Sequence, residues 1–300
     1  MPVSGEFAEW AAELTMRHIP VAVRRATGRR ILTAISDGVV AARVGLVDPA
    51  VHVAVGIGGP PEAELIGHAA GRLAAPAAAF ANGMLIGATR PDPEHVDVGA
   101  AMAVVLPVAL AVGQEVKARG DEVLIAVIAG HELACRLAAS DGSRSVGVLG
   151  GALAAARLMA LDRARIRDAV GIAGGFVGEP IGAGGILGPA GGMAAGNAIV
   201  AARLAAAGAN GPPRGMDELL RTWRLRPETV RAGLGVEWAC APHPAAAAGT
   251  TDYRFDLDIC ERLGGSRRDA RALVAEIRAL AFAPSLDSIL ALTVRIAAGT

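Results

Sequence analysis

The chain has 300 residues, of which 53% are hydrophobic, so it is long enough to bury a large core in one or two domains. Its 29 basic and 29 acidic residues give a formal net charge of zero, which excludes a general attraction to nucleic acid or to an anionic membrane surface. The first residues include acidic side chains where a signal peptide needs a basic start, and no stretch approaches a bare membrane span.

Helical patterns begin at the N-terminus and predict two opening helices, in EFAEWAAELTMRHIP and VAVRRATGRRILTAISDGVVAARVG. Pro20 is expected in the first turn of the second helix and Gly45 just after its end. The next segment, VHVAVGI (Val51–Ile57), alternates and predicts one short strand. An aromatic content of 3% and the dominance of Ala over β-branched residues argue against further sheet.

Long Ala-rich helices are predicted through the middle of the chain, apolar on several faces as in a buried bundle. Their sequences are AAPAAAFANGMLIGA, AMAVVLPVALAVGQEVKARG, DEVLIAVIAGHELACRLAAS and SVGVLGGALAAARLMALD. A breaker cluster then precedes a short helix in MDELLRTW, whose first turn holds Asp217 and Glu218. Helices return after residue 251, with Ser266 and Ser285 as predicted N-caps. The predicted class is all-α.

Glycines are frequent, at 39 residues, and with the many alanines they allow close helix packing. The densest stretch, Gly178–Gly192, either packs in the bundle or leaves backbone N–H groups free to hold an anion. A dinucleotide fingerprint is a poor fit, because Gly182-x-Gly184 has no preceding strand and no acidic ribose ligand after it.

Three cysteines, Cys135, Cys240 and Cys260, are far apart in the sequence, odd in number and outside any metal-ligand spacing. We therefore expect reduced thiols in a cytoplasmic protein. Cys240 with His243 resembles a nucleophile and base, but no orienting acid or oxyanion loop accompanies the pair.

The most charged short stretch is RPDPEHVDVGA (Arg90–Ala100), which raises two alternatives. Asp92, Glu94 and His95 are candidate proton-transfer groups, because a carboxyl in an apolar cleft, or a histidine near neutral pH, acts as a general acid or base. The other interpretation is a hydrated surface turn, since prolines flank Asp92.

Each of the following candidate substrate-binding residues also has a purely structural interpretation. His131 is either a substrate contact or a core histidine bonded to a carbonyl. Asp141 and Arg144 either line a pocket, where an arginine suits a substrate carboxylate, or belong to a helix cap. The full set of expected substrate contacts is Arg90, Asp97, His131, Asp141, Arg144 and Glu179.

Five segments in order resemble the helical domain of the MmgE/PrpD family, which includes 2-methylcitrate dehydratase, cis-aconitate decarboxylase and iminodisuccinate epimerase. They are RHIPVAVRRATGRRILTAISDGVVAARVG, AAFANGMLIGA, VVLPVALAVGQEVKARGDEVLIAVIAGHELACRL, SVGVLGGALAAARLMALDRARIRDAVGIAGG and AAGNAIVAARLAAAG. The similarity covers most of residues 15–208 and resumes at DYRFDLDICERLGGSRRDARALVAEIRALAFAPSLDSILAL. The resemblance implies an all-helical domain, a homodimer, no metal or organic cofactor, and proton transfer beside a carboxylate.

Two departures from the family pattern qualify this resemblance. Family members carry an α/β lid between the helical segments, whereas residues 211–251 are too few for one, so we expect a single domain over residues 1–300. Residues 1–210 would form its main segment, residues 211–251 a linker in place of the lid, and residues 252–300 the returning helices. The second departure is the loss of three residues that the family uses at its site, two histidines and a lysine. Their positions correspond in this sequence to Ala100, to a position near Asp141 and to a position near Gly191.

Three functions remain open from the sequence. The first is a lidless enzyme of a specialised, natural-product type of pathway that catalyses proton transfer, elimination, isomerisation or ring closure on a substrate larger than a tricarboxylate. The second is a conventional dehydratase, decarboxylase or epimerase of a small acid, and the third is a non-catalytic helical dimer that binds a ligand or partner.

Overall fold

The computed structural model describes residues 2–88, 96–138, 146–177, 187–241, 252–264 and 266–299. Within these ranges the chain is almost wholly helical, which confirms the predicted all-α class. The α-helices are α1 (Val3–Glu13), α2 (Val21–Arg43), α3 (Asp48–Ile57), α4 (Ala75–Gly87), α5 (Val96–Glu115), α6 (Gly120–Ala138), α7 (Gly147–Leu158), α8 (Arg163–Ala173), α9 (Leu187–Ala206), α10 (Gly215–Thr222), α11 (Pro227–Arg231), α12 (Asp252–Leu263), α13 (Arg267–Arg278) and α14 (Asp287–Ala298). Short 3-10 turns occupy Met16–His18, Gly174–Phe176 and Leu280–Phe282.

The second opening helix ends as predicted. Gly45 follows α2 with φ 64°, a left-handed conformation that glycine adopts without a steric penalty. Pro20 is the N-cap residue of this helix, one position before the predicted first turn. No single helix in the described ranges is both long and apolar enough to cross a membrane, although α2 and α3 together satisfy the length and composition across a 96° bend.

The strand predicted at VHVAVGI is wrong, because these residues belong to α3. The helix begins at Asp48-Pro49, where a proline suits the first turn, and it buries Ala50, Val51 and Ala54. That burial follows a helical spacing, so packing outweighed the strand preference of the alternating valines.

The one described hairpin lies elsewhere and was not predicted. Strands β1 (Ala63–Leu65) and β2 (His68–Leu73) pair antiparallel around a turn at Ile66 and Gly67. Two distant side chains bind the amides of this turn: Asn82 Oδ1 accepts from Ile66 N at 2.8 Å, and Thr293 Oγ1 accepts from Gly67 N at 3.0 Å. Side chains from α4 and α14 therefore hold in place a hairpin whose own sequence has little strand preference.

The core of the fold is a group of mostly apolar helices, α4, α5, α6, α7 and α9, several of which cross at glycines. A Cβ atom at Gly130 of α6 would collide with the carbonyl oxygen of Gly150 in α7, and the reverse is equally true. A Cβ at Gly192 of α9 would lie 2.7 Å from the carbonyl oxygen of Phe80 in α4. Close backbone approach therefore explains glycine at these crossings.

The C-terminal helices pack against the first half of the chain. α12, α13 and α14 all pack against α2, and Arg29 donates to Asp252 Oδ1 through Nε at 2.9 Å. Ser266 caps α13, since its Oγ accepts from Asp269 N at 3.4 Å. Ser285 accepts from Asp287 N, but α14 begins one residue later than predicted, with Leu286 as its N-cap.

Candidate active site

Five core helices end or begin at the same end of the bundle, which we call the loop end. It is defined by the last residues of α4 and α6, Gly87 and Ala138, and by the first residues of α5, α7 and α9, Val96, Gly147 and Leu187. Each helix makes a close contact within about two and a half turns of that end. The contacts join Gly83 with Gly192, Gly130 with Gly150, and Val104 with Gly147.

The loop end borders the segments that carry most of the predicted site. Residues 89–95 connect α4 to α5, residues 139–145 connect α6 to α7, and residues 178–186 precede α9. Eight predicted site residues have side chains outside the described part of the chain: Arg90, Asp92, Glu94, His95, Asp97, Asp141, Arg144 and Glu179. The helix ends to which these three segments connect therefore lie together at the loop end.

His131 is the predicted site residue whose surroundings the structure describes. It lies on α6 with no exposed surface, and its Nε2 is 3.5 Å from the Sγ of Cys135, one turn further on. A fully buried ring fits the alternative of a core histidine, although the partner at Nε2 is a thiol rather than a carbonyl.

Next to His131, the carboxylate of Glu132 makes a buried cluster that sequence reasoning missed. The Glu132 side chain is 1% exposed, and its Oε1 accepts from Arg136 Nε at 2.6 Å and from Ala239 N at 2.9 Å. Its Oε2 accepts from Cys240 N at 2.9 Å. Both carboxylate oxygens are therefore hydrogen-bonded, which compensates for removal of the charge from water.

Arg136 completes the cluster by binding backbone carbonyls of the segment after α11. Its Nη1 donates to Val230 O at 3.1 Å and to Ala232 O at 2.7 Å, and its Nη2 donates to Glu237 O at 2.5 Å. The Glu132–Arg136 pair therefore fixes residues 230–240 against the last two turns of α6. Cys240 is therefore held beside the last two turns of α6, the helix that ends at the loop end.

The described part of the linker, residues 211–241, is more ordered than a simple loop. It contains the predicted helix α10, which buries Met216 and Leu220, and a second short helix, α11, that begins at Pro227 and was not predicted. The segment after α11 contains turns and one isolated bridge, Leu234 to Glu237.

Cys240 is poorly suited to be a nucleophile. Burial raises the pKa of its thiol well above the ordinary value, and the neighbouring Glu132 carboxylate raises that pKa further. Because the thiolate is the reactive form, this environment keeps the sulfur protonated and unreactive. All three cysteines are free thiols, as predicted, and His243 lies outside the described residues.

Metal ligands do not converge in the described ranges, where no group of three or more His, Cys, Asp or Glu side chains could hold an ion. The described chain is an all-α protein built on a mostly apolar bundle, and most of the predicted site residues belong to segments that connect to one end of it. Residues 5–219 match the MmgE/PrpD N-terminal domain, and the chain belongs to that family. Membership associates it with dehydratase-like and lyase-like enzymes. No curated protein matches the chain.

Proposed function

We propose that this chain is a divergent MmgE/PrpD enzyme that moves a proton at a carbon beside a carboxylate, without a cofactor, and so drives elimination, isomerisation or ring closure. The observation that carries the proposal is the loop end, where five helices converge beside the segments that hold Asp92, Glu94 and His95. A substrate larger than a tricarboxylate, from a specialised pathway in the cytoplasm, fits a family member without room for a lid between residues 211 and 251.

Apolar surroundings supply the physical basis for this chemistry. The described helices that border the loop end bury alanine, valine and leucine, among them Val104, Val105, Val148 and Leu149. A carboxyl group placed against such a surface loses hydration, which raises its pKa towards neutrality and suits it to proton transfer.

The proposed roles follow from charge and position in the sequence. Asp92, Glu94 or His95 transfers the proton, and Arg144 binds the substrate carboxylate through its planar fork. The other proposed substrate contacts are Arg90, Asp97, His131, Asp141 and Glu179.

A conventional dehydratase or decarboxylase of a small acid is the second candidate, favoured by family membership alone. It lacks support at three positions, because the family resemblance puts two histidines and a lysine at Ala100, near Asp141 and near Gly191. A non-catalytic dimer that binds a ligand is the third.

Incorporation of solvent deuterium tests the proposed function whatever the product is, because the exchange raises the mass of the acid itself. The native chain is incubated in D2O with a panel of carboxylic acids that differ in size, and each acid is then examined by mass spectrometry. We expect deuterium at the carbon beside a carboxylate in at least one large acid. Binding of an acid without any exchange or turnover would favour the non-catalytic candidate instead.

We also propose a homodimer that forms through the outer face of α4 and α9. Neither α4 nor residues 187–202 of α9 contain a charged residue, yet Met193 is 55% exposed, Val200 38% and Leu204 41%. Helix α9 is about 30 Å long and α4 about 20 Å long, so two rods about 10 Å wide present roughly 500 Å². That area is more than half of the roughly 800 Å² per partner of a stable interface.

The double substitution Met193→Glu/Val200→Glu should convert the dimer to a monomer at micromolar concentration. In a twofold-symmetric dimer, each new carboxylate would face either apolar surface or the same carboxylate of the other protomer. We expect this to weaken association by about 100-fold or more. Light scattering measures the mass, and Phe282→Glu is the matched control because this side chain is 90% exposed on another part of the surface. A native monomer, or a dimer lost only in the control, would contradict this assignment.

A further inference from the structure

A second polar site lies between the start of the chain and α10. It is a cleft of about 480 Å³ that has Pro2 on one side. The charged side chains that line the cleft are three arginines and one aspartate: Arg214, Arg221, Arg226 and Asp217.

Helix α10 determines how these side chains are presented. Arg214 is its N-cap residue, and Asp217 and Arg221 follow at spacings of three and four, so the three positions share one face of the helix. Met216 and Leu220 are buried on the other side, which fixes the rotation of the helix. The cluster is therefore held on an anchored element rather than on a free surface loop.

Arg226 reaches the same cleft because the chain reverses directly after α10. Arg224 has φ 57°, an uncommon conformation for a residue with a side chain, and Trp223 beside it is buried. Leu225 and Pro227 line the cleft on either side of Arg226. The strained reversal thus places a third guanidinium group opposite those of α10.

The three guanidinium groups are available for a ligand. None of those of Arg214, Arg221 and Arg226 makes a hydrogen bond or ion pair with a residue in the described ranges, and all three residues are exposed. Arg231 in the same segment is different, because its Nη1 donates to Glu6 Oε1 at 2.7 Å.

The carboxylate of Asp217 adds an acceptor to this cationic cleft. Its Oδ1 accepts a single long bond, from Val3 N at 3.4 Å, while its Oδ2 is closed off from solvent and has no partner in the described part of the chain. Oδ1 therefore keeps the capacity for a second, shorter hydrogen bond, so a ligand that donates to Oδ1 is favoured over one that cannot.

We propose that this cleft binds a phosphate group that retains one proton, either free hydrogen phosphate or a singly protonated phosphomonoester. Arginine forks match phosphate oxygens and offset the negative charge, while the phosphate O–H donates to Asp217. A fully deprotonated anion of similar size, such as sulfate, has no donor and is repelled by the same carboxylate. The combination therefore selects for a protonated oxyanion, and not for negative charge alone.

Calorimetric titration of the full chain with phosphate and with sulfate, at equal ionic strength and pH 7, tests the proposal. We expect phosphate to bind at least about tenfold more tightly than sulfate, because only phosphate satisfies Asp217. Asp217→Asn should remove that preference, since an amide also offers donors to sulfate. Equal binding of the two anions by the native chain, or no binding of phosphate, would overturn the proposal.

Two pairs of arginine variants separate a defined site from general charge attraction. Arg221→Gln/Arg226→Gln should weaken phosphate binding by about tenfold or more. Arg267→Gln/Arg268→Gln removes the same charge from the exposed start of α13 and should leave binding unchanged. An equal loss in both pairs would overturn the proposal.

Circular dichroism of each variant confirms folding, so that a loss of binding is attributable to the cleft. A parallel titration with glycerol phosphate at pH 6, where about half of a phosphomonoester is singly protonated, identifies the source of the phosphate group. Binding as tight as that of phosphate assigns a phosphomonoester, whereas weaker binding assigns the free ion.

Discussion

Replacing Arg136 by methionine is expected to lower the free energy of unfolding by about 3–5 kcal/mol, the usual cost of leaving a buried charge without its partner. The Arg136 and Glu132 side chains are 6% and 1% exposed, so water cannot replace the lost ion pair. Three carbonyl groups of residues 230–237 would lose a donor in the same substitution.

Chemical denaturation measures this loss, and Arg163→Met is the matched control. Arg163 pairs with Glu9 at 2.8 Å, but the two side chains are 54% and 44% exposed, so its removal should cost about 1 kcal/mol or less. The double variant Glu132→Met/Arg136→Met should be less destabilised than the sum of its two single changes, because it leaves neither buried charge alone. An Arg136→Met variant as stable as the control would show that the cluster does not hold residues 230–240.

Removing the proton-transfer group should lower turnover by about two to four orders of magnitude, as loss of a general acid or base does. The variants are Asp92→Asn, Glu94→Gln and His95→Gln, each measured on an acid that the native chain exchanges or converts. One of the three should show the full loss, and all three should unfold at nearly the native temperature, because each replacement is polar and close in size to the side chain that it replaces.

Asp258→Asn is the control for these variants, since Asp258 is an exposed acid on α12, distant in sequence from all three segments at the loop end. Its turnover should equal that of the native chain. Full activity in all three loop variants would remove Asp92, Glu94 and His95 from the mechanism and would favour catalysis by the shape of the cavity or binding without chemistry.

Sequence patterns predicted the helical class because periodicity and composition agreed over long segments such as α2 and α6. They failed where a distant part of the chain decided the conformation. Val51–Ile57 alternates like a strand but packs as a helix, and β1 and β2 depend on Asn82 and Thr293. A local pattern contains no information on such partners.

The candidate site shows the same limit. The concentration of charge at residues 90–97 was readable from the sequence, as was the helical spacing of Glu132 and Arg136 within an apolar stretch. The role of that pair was not readable, because its partners are backbone groups about 100 residues away, among them Cys240 N. The convergence of α4, α5, α6, α7 and α9 at one end likewise required the structure.

Mass spectrometry of one large carboxylic acid after incubation in D2O tests the central claim most directly. The native chain is compared with the triple variant Asp92→Asn/Glu94→Gln/His95→Gln under the same conditions. Deuterium should enter the carbon beside the carboxylate with the native chain and remain at the uncatalysed level with the variant. Incorporation by both chains at the same rate, or by neither with any acid of the panel, would contradict proton transfer at the loop end.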